Sequence, residues 1–578
     1  MNATSIEPAS DFNSEQKRYL EGFFSGIQAR GVSVGNAAAP AAKESAPPPE
    51  DETKEERIKR EMPPFEAYAD LVNDSRHNAA PDAENAFRFK WNGLFWLSPV
   101  KDGYMCRLRI PGGLVKSFQL REIANIADDL TSGYIQITTR ANFQIRLIQP
   151  KDCPEVLRRI QACGLHSRGS GADNIRNITS SPTAGVDTYE LIDVRSLVHE
   201  LSQRIITGNE FYNLPRKFNI AIDGGGLISC VEDTNDIGAR AVNIGENDAG
   251  LVPGVYFRIG LGGATGLKSF ASDAGIVVAP ERLIEVMTAI LRVFIRDGDR
   301  TNRKRARLKY LIEKRGLTGF RDDFEALLGD PLPRVAADAP FQFQAERPVH
   351  PHPHVGSFPQ RGGGKQYIGA AVPVGQLTSK QLRRIADLAD NYGSGEVRLT
   401  VWQNFIIPDV ADAYVKTVEK QLQRIGFETV QSHLRSGFVA CTGNRFCKYA
   451  ATDTKGHAID LMKWLDKRVH LDQPVNIHLT GCPHSCAQHF MGDIGLLGAS
   501  VKSSGETVEG YHVFIGGGFG TGQALGRQIF TNIPYAEIKT LLETMLKNYL
   551  KLRENGESFQ SFCNRHEIGR LQEFFTNG

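Results

Sequence analysis

Residues 110–145 read IPGGLVKSFQLREIANIADDLTSGYIQITTRANFQI, and residues 372–407 read VPVGQLTSKQLRRIADLADNYGSGEVRLTVWQNFII, an offset of 262 residues. Identical residues at that offset include Gln119 with Gln381, Ile123 with Ile385, Thr138 with Thr400 and Asn142 with Asn404. Each copy has apolar residues at three- and four-residue spacing, then a glycine, then alternating apolar residues. This pattern predicts a repeated unit of strand, helix and strand.

A weaker repeat follows each copy. YFRIGLGGATG (256–266) resembles HVFIGGGFGTG (512–522), and both predict an apolar strand that enters a glycine-rich turn. Tight turns alone would account for such glycines. Their recurrence in the same order after the first repeat favours duplication of a whole module, a small α/β unit followed by a larger one.

Size and composition exclude several classes of protein. The chain has 578 residues, more than the ~250–300 at which a single core stops growing, so two or three domains are expected. No apolar run approaches the ~18 residues of a membrane span, and the N-terminus has no export pattern, so we expect a cytoplasmic protein without membrane association. A net charge of +2 and the lack of a nucleic-acid motif predict no nucleic-acid partner.

The nine cysteines are expected to be thiols and metal ligands, since nothing indicates export to an oxidising compartment. Four of them form two pairs within 46 residues, Cys441 with Cys447 and Cys482 with Cys486. Zinc ribbons favour two to four residues between paired cysteines, whereas the first pair here has five between them, and iron–sulfur clusters accept varied spacings. From the residues alone, an iron–sulfur cluster, a zinc site and redox or unliganded thiols all stay open.

The sequences around these cysteines resemble a known signature. ACTGNRFCKYA (440–450) and LTGCPHSC (479–486), followed by GDIGLLG (492–498), are similar to the cluster-binding motifs of the nitrite and sulfite reductase family. Further motifs of that family occur in the same order: KWNGLF (90–95), RLRIPGG (107–113), TTRANFQ (138–144), DNIRN (173–177) and LPRKFN (214–219). The resemblance covers roughly residues 85–578. It implies that Cys441, Cys447, Cys482 and Cys486 bind a [4Fe–4S] cluster and that Cys486 also bonds to the iron of a siroheme.

The resemblance also implies an α+β fold with a pseudo-twofold duplicated architecture. Two ferredoxin-like units and two larger mixed α/β modules would surround the siroheme and the cluster. Residues 36–60 are rich in Ala, Pro and charge, so a mobile extension is expected at the N-terminus. The expected boundaries are 1–60 for the extension, 85–165 and 345–433 for the ferredoxin-like half-domains, 166–335 for the first siroheme-binding module and 434–578 for the module that binds the cluster and siroheme.

Four residues are candidates for catalysis. The resemblance maps Arg107, Arg176 and Lys217 onto the basic residues of the substrate side, where cations would hold an anion and deliver protons. It maps Asn219 onto a position at which sulfite reductases have a second lysine and ferredoxin-type nitrite reductases have asparagine. Nitrite is a monoanion and needs fewer cations than sulfite, so Asn219 favours nitrite.

A second set of residues is expected to bind the siroheme, whose eight carboxylates require many cationic and amide donors. The resemblance implies Arg140, Gln144 and Thr138 as such donors. The basic segment RTNRKRARLKYLIEKR (300–315) adds candidates by position, and a solvated helix face is the alternative interpretation for it. These candidates are Arg303, Arg305, Arg307 and Lys309.

The function implied is the six-electron reduction of nitrite to ammonia by a monomer. No well-placed nicotinamide or flavin motif is present, so the electrons would come from a separate acidic protein, ferredoxin or flavodoxin, docked on a basic patch. Lys448, Lys463, Lys467 and Arg468 are candidates for that patch, with ordinary solvated charge as the alternative. Three rival functions stay open: an assimilatory sulfite reductase with the same cofactors, a relative from cobalamin synthesis and a zinc-stabilised binding module.

Overall fold

The computed structural model describes residues 51–245, 251–335 and 352–576. A short helix expected near residues 12–29 lies outside these ranges. Composition predicts a mobile extension up to residue 60, but the structure has a helix at Lys54–Glu61. Thr53 caps this helix by accepting the Glu56 N–H at 3.4 Å, and burial of Ile58 stabilises the helix against the rest of the chain.

The first half of the described chain alternates strands and helices. Its strands are β1 Leu94–Trp96, β2 Tyr104–Arg107, β3 Leu114–Lys116, β4 Tyr134–Ile137, β5 Phe143–Ile148, β6 Thr179–Ser180, β7 Ile220–Asp223, β8 Ile237–Ile244, β9 Gly254–Leu261 and β10 Ser272–Val278. Its α-helices are α1 Lys54–Glu61, α2 Tyr68–Arg76, α3 Asn85–Arg88, α4 Ser117–Leu130, α5 Cys153–Ala162, α6 Arg195–Thr207, α7 Leu283–Asp297, α8 Leu308–Arg315 and α9 Leu317–Leu328.

The second half repeats this order. Its strands are β11 Gly356–Pro359, β12 Lys365–Ala370, β13 Gln376–Thr378, β14 Glu396–Leu399, β15 Phe405–Ala411, β16 Phe438–Ala440, β17 Ile477–Thr480, β18 Ile494–Ser503, β19 Glu506–Ile515 and β20 Arg527–Pro534. Its α-helices are α10 Ser379–Tyr392, α11 Val415–Arg424, α12 Thr454–Asp466, α13 Tyr535–Leu552, α14 Phe559–Arg565 and α15 Ile568–Thr576.

The two copies of the repeat exchange a strand. One sheet has the order β1-β2-β5-β4-β13 and another the order β11-β12-β15-β14-β3, so β13 completes the first copy and β3 completes the second. Glycines make the exchange sterically feasible. An added Cβ at Gly113 would lie 2.4 Å from the Leu399 carbonyl oxygen, and one at Gly375 would lie 2.6 Å from that of Ile137. Both glycines have positive φ, 76° and 69°.

Equivalent side chains join the two copies reciprocally. On helices α4 and α10, Arg121 pairs with Asp390 at 2.7 Å and Arg383 pairs with Asp128 at 2.7 Å. The repeated glutamine also has one role in both copies, because Gln119 accepts a backbone N–H at the start of α4 and Gln381 does the same for α10. The pseudo-twofold duplication expected from the sequence is thus confirmed as an α+β architecture.

The two larger modules have matching sheets. Each contains three parallel strands followed by two antiparallel ones, in the orders β6-β7-β8-β9-β10 and β16-β17-β18-β19-β20. The loop at 224–236 joins β7 to β8, and the loop at 481–493 joins β17 to β18, with the same length. The second loop carries Cys482 and Cys486, so the duplication places a cysteine loop and its counterpart at equivalent ends of two sheets. Within the described residues, no helix combines the length and apolarity that a bilayer crossing requires.

Candidate active site

Two arginines of the substrate side converge on one carbonyl oxygen. Arg107, at the end of β2, donates from Nη1 to the Ser170 oxygen at 3.3 Å, and Arg176 donates from Nη1 to the same oxygen at 2.8 Å. Arg176 Nη2 also donates to the Ala172 oxygen at 2.7 Å, while the Arg107 guanidinium lies 4.5 Å from the centroid of the Phe95 ring. Burial lowers the pKa of both guanidinium groups. Neither arginine forms an ion pair with a carboxylate of the described residues, so both retain charge for an anion.

Backbone pairing brings Lys217 beside these arginines. The Arg176 N–H donates to the Phe218 oxygen at 2.7 Å, and Ile175 forms a parallel bridge with Phe218. The Lys217 ammonium has no hydrogen-bond partner in the described chain. Burial and the charge of Arg307 lower the pKa of Lys217 to about 7, although the nearby thiolate of Cys486 acts to raise it. Lys217 therefore has a lowered pKa, and none of its ammonium N–H groups donates to a described residue.

Asn219 is held by its backbone and keeps a free side chain. Its N–H donates to a carboxylate oxygen of Asp236 at 2.8 Å, and its carbonyl accepts the Ile237 N–H at 3.2 Å. The side-chain amide has no partner among the described residues. Asn219 is half-buried two positions beyond Lys217, and it adds a neutral polar group to this basic region.

The four predicted cysteines lie on two loops that follow adjacent strands. Cys441 and Cys447 come after β16, Cys482 and Cys486 come after β17, and these strands are parallel neighbours, so their carboxyl ends meet at one edge. The Gly481 N–H donates to the Cys441 Sγ at 3.2 Å, which joins the two loops directly. Burial and the other three thiolates together raise the pKa of Cys482 to about 12.

The spread of the sulfur atoms favours a cluster over one ion. A tetrahedral zinc with Zn–S bonds of about 2.3 Å requires sulfur atoms ~3.8 Å apart. Among the described residues, the set of three ligand atoms that lie mutually within 4.8 Å consists of Asp223, Cys230 and Glu232, so no three of the four sulfurs are that close. A wider set of four thiolates suits a group with several irons.

Cys486 lies near the cations of the predicted substrate side. It is exposed to solvent, yet surrounding protein raises the pKa of its thiol by burial, and the charges of Lys217 and Arg107 oppose that rise. The thiol and the substrate-side cations are therefore close enough to interact. Thr139 from the first repeat donates to the Cys486 carbonyl oxygen at 2.9 Å, which fixes the loop relative to the first half of the molecule.

Arg140 has a nitrogen free for the predicted cofactor. Its Nη1 donates to the Asn235 Oδ1 at 2.5 Å and its Nη2 to the Asn177 oxygen at 3.2 Å, but its buried Nε has no partner among the described residues. The other two predicted residues contact their own repeat: Thr138 donates to Asn142 at 2.5 Å, and the Gln144 oxygen accepts from Arg146. An orphaned buried N–H is costly unless a ligand accepts from it, so Arg140 fits an anionic cofactor.

The basic segment divides into buried ion pairs and surface groups. Arg303 donates to both carboxylate oxygens of Asp173 at 2.8 and 2.9 Å, and Arg307 donates to both of Asp236 at 3.2 and 2.7 Å. Lys309 pairs with Glu313 at 3.0 Å. Arg305 is exposed and lies 5.2 Å from the ring of Tyr310. Asp173 lies three positions before Arg176, and Asp236 accepts the Asn219 N–H. The two pairs therefore lie beside the predicted substrate-side residues, and a direct contact of Arg303 or Arg307 with the cofactor stays a prediction.

One cation of this region was missed by sequence reasoning. Lys90 packs against Gly171, where an added Cβ would lie 3.0 Å from the Lys90 Cβ. Gly171 stands between Ser170 and Ala172, whose oxygens hold the two arginines. Burial and the charge of Lys448 together lower the pKa of Lys90 to about 8. The signal was present in KWNGLF, where a lysine stands among apolar residues.

Comparison with known proteins decides the family. The nitrite and sulphite reductase 4Fe-4S domain matches residues 171–332 and 434–567, and the nitrite/sulfite reductase ferredoxin-like half domain matches residues 98–163 and 358–425. The chain belongs to the nitrite and sulphite reductase family.

Several members of the family align with most of this chain. The ferredoxin–nitrite reductase of Synechococcus elongatus is 39% identical over 81% of this chain and 90% of its own. The chloroplastic enzyme of Zea mays is 34% identical over 79% of this chain and 81% of its own. The NirA protein of Mycobacterium tuberculosis superposes with a TM-score of 0.81 and 28% identity, over 89% of this chain and 97% of its own.

Membership of the family implies a siroheme and a [4Fe–4S] cluster, and the residues present fit both groups. Four thiols, no three of which have sulfurs mutually within 4.8 Å, meet the needs of the cluster. For the siroheme, the thiol of Cys486 and the buried Nε of Arg140, which has no partner among the described residues, would supply an iron ligand and an anion donor. The zinc-stabilised binding module is therefore not supported.

Proposed function

We propose that this protein reduces nitrite to ammonia with six electrons received from ferredoxin. The observation that carries the proposal is the proximity of Cys486 to Arg107 and Lys217, whose charges act on its thiol, with Arg176 beside Lys217 and neutral Asn219 two positions beyond it. The relatives named ferredoxin–nitrite reductase support it, since they align over most of both chains.

The cofactors would be held by residues of both halves. Cys441, Cys447, Cys482 and Cys486 would bind the cluster, Cys486 would be shared with the siroheme, and Arg140 would donate to a siroheme carboxylate. When bound, the pair supplies stored electrons and an iron at which nitrite can be reduced. The rest of the chemistry belongs to the chain's own side chains.

Anion binding falls to the two arginines. Each has its guanidinium fixed by the carbonyls of Ser170 or Ala172, so it is oriented before nitrite arrives. Arg107 and Arg176 lie close enough for the charge of one to lower the pKa of the other, which makes an anion between them favourable. Their role is to hold the nitrite oxygens and to stabilise negative charge as the N–O bonds break.

Proton delivery falls to Lys217. Nitrite, six electrons and seven protons give ammonia and two waters, so the site must supply protons repeatedly. With its pKa lowered to about 7, the Lys217 Nζ can both release a proton and recover one near neutral pH. Arginine has no comparable capacity, because its pKa stays far above neutrality.

The electron donor would dock near the cysteine loops. A groove beside Phe446, the residue before Cys447, is lined by Tyr134, Arg445 and Ile459. Lys463 lies one turn beyond Ile459 on the same face of α12, and Lys467 follows it after another turn. Both lysines are exposed, so they offer a positive rim for an acidic ferredoxin. Lys448 is exposed on the loop between Cys447 and α12, so it is a further candidate for the patch predicted from the sequence.

Sulfite reduction is the second candidate, because the family includes enzymes for both anions. Turnover of nitrite and of sulfite by the reduced-dye-driven holoenzyme separates the two. We expect the kcat/KM for nitrite to exceed that for sulfite. Faster production of sulfide than of ammonia would instead assign the protein as a sulfite reductase.

The domain boundaries stay proposals. We place the ferredoxin-like half-domains at 85–165 and 345–433, and the larger modules at 166–335 and 434–578. We also propose that the monomer is the active form, because the cysteines and the substrate-side residues all come from one chain.

A further inference from the structure

Arg146, on β5, is a buried cation whose hydrogen-bond partners are all neutral. It is 2% exposed. Its Nε donates to the Gln136 oxygen at 2.9 Å, and its Nη2 donates to the hydroxyl of Thr442 at 2.8 Å and to the oxygen of Gln144. The guanidinium lies 5.2 Å from the centroid of the Phe446 ring. Thr442 follows Cys441 and Phe446 precedes Cys447, so Arg146 contacts the neighbours of two predicted cluster ligands.

Lys455 is a second buried cation near the same ligands. It is 3% exposed, and its Nζ donates to the backbone oxygen of Val374. It lies in the first turn of α12, next to Thr454, whose hydroxyl lies 3.5 Å from the Cys441 Sγ. Neither Lys455 nor Arg146 forms an ion pair with a carboxylate of the described residues.

An uncompensated buried cation is costly, and burial lowers the pKa of Lys455 to about 7 and that of Arg146 to about 10. Other buried arginines are compensated differently. Arg398 pairs with Glu396 at 2.6 Å, and Arg109 donates to four backbone oxygens. Near Arg146 and Lys455, the negative groups include thiolates: that of Cys441 favours the charged form of both cations, and Tyr134 and Cys447 act in the same direction on Arg146.

We propose that Arg146 and Lys455 are the counter-charges of the [4Fe–4S] cluster and that they set its reduction potential. This inference rests on the proposed function, since it requires the cluster. Each electron added to the cluster adds a negative charge in a buried environment, where a nearby cation is screened less than in water. The two cations therefore stabilise the reduced cluster and raise its midpoint potential, which makes it easier for the donor to reduce. They are positioning residues that act through the cluster.

The test is an EPR-monitored redox titration of the holoenzyme and of its variants. Lys455→Met and Arg146→Met remove the charge and keep much of the side-chain length, whereas Lys455→Arg and Arg146→Lys keep the charge. Arg398→Met is the matched control, because it removes a buried cation whose partner Glu396 still pairs with Lys116 at 2.8 Å. We expect a lower midpoint potential in both Met variants, a larger decrease in the double variant, and values near the wild type in the charge-keeping variants and the control.

Unchanged potentials in both Met variants would overturn the inference, as would equal decreases in the charge-keeping variants. If a variant loses its cluster, its midpoint potential cannot be measured, and the iron content of the purified variant is measured in its place. Loss in Lys455→Met with retention in Lys455→Arg supports a requirement for charge, whereas loss in both overturns it in favour of a packing role. Nitrite turnover by the wild type separates the two proposals: an active wild type with unchanged variant potentials refutes only the counter-charge role.

Discussion

We propose that the choice of substrate depends on the side chain of Asn219. It lies in a basic region with Arg107, Arg176 and Lys217, and its side-chain amide has no partner among the described residues. A lysine there would add a fourth cation, which a dianion uses better than a monoanion does.

The first prediction is therefore that Asn219→Lys changes the preference between anions. We expect the ratio of kcat/KM for sulfite to that for nitrite to rise by about tenfold, which corresponds to ~1.4 kcal/mol of differential binding in the transition state. Asn209→Lys is the control, because Asn209 is exposed and the charge added is the same. If both variants keep the wild-type ratio, Asn219 does not select the substrate.

Variants of Arg307 can distinguish whether this residue positions Asp236 or binds the cofactor. Its bidentate pair with Asp236 is buried, and Asp236 also accepts the Asn219 N–H. We predict that Arg307→Met lowers the free energy of unfolding by ~3–5 kcal/mol, since it leaves a buried carboxylate unpaired. Arg307→Met with Asp236→Asn should regain most of that loss and keep its siroheme absorbance. A double variant that is stable but lacks siroheme would show that Arg307 binds the cofactor.

At the level of elements, the strand exchange depends on two glycines at equivalent positions. We predict that Gly113→Ala and Gly375→Ala each lower the free energy of unfolding by about 2–4 kcal/mol, because a Cβ would meet a carbonyl of the other repeat at a positive φ. Gly319→Ala, with open space around it in helix α9, is the control and should be neutral or stabilising. Chemical denaturation measures all three, and a cost at only one of the two equivalent sites would argue against reciprocal exchange.

The sequence predicts these elements well and their partners poorly. The strand–helix–strand unit follows from local periodicity, and the cysteine pairs follow from their spacing. The exchange of β3 and β13 is a non-local pairing that periodicity does not encode, because either copy could have kept its own strand. The same holds for Arg303 and Arg307, which the sequence shows as a basic segment. Their partners lie 130 and 71 residues away, so only the fold reveals that the charges are paired.

At the scale of the whole molecule, electrons must enter from a partner protein. We predict that Lys463→Glu with Lys467→Glu raises the KM for ferredoxin severalfold at low salt and leaves turnover with a reduced dye unchanged, because only protein docking uses the positive rim. Lys551→Glu, an exposed charge in the last turn of α13, is the control. An unchanged KM in the double variant would place the donor elsewhere.

We propose that one half binds the cluster and the other supplies the substrate residues. Loops of equal length follow β7 and β17, but the second carries Cys482 and Cys486, with Cys441 and Cys447 after the neighbouring β16, while the first half supplies Arg107, Arg176 and Lys217. Catalysis by this chain thus requires both halves, with the Cys486 loop fixed to the first repeat through Thr139. The halves have diverged in chemistry while keeping one topology.

The most direct measurement is the stoichiometry of the complete reaction. Purified holoenzyme, reduced ferredoxin and limiting nitrite are mixed without oxygen, and oxidised ferredoxin and ammonium are counted. Six oxidised ferredoxins per ammonium, with all nitrite nitrogen recovered as ammonium, is the result predicted here. Nitrite left unconsumed, or consumed without ammonium, would contradict the assignment of this protein as a ferredoxin-dependent nitrite reductase.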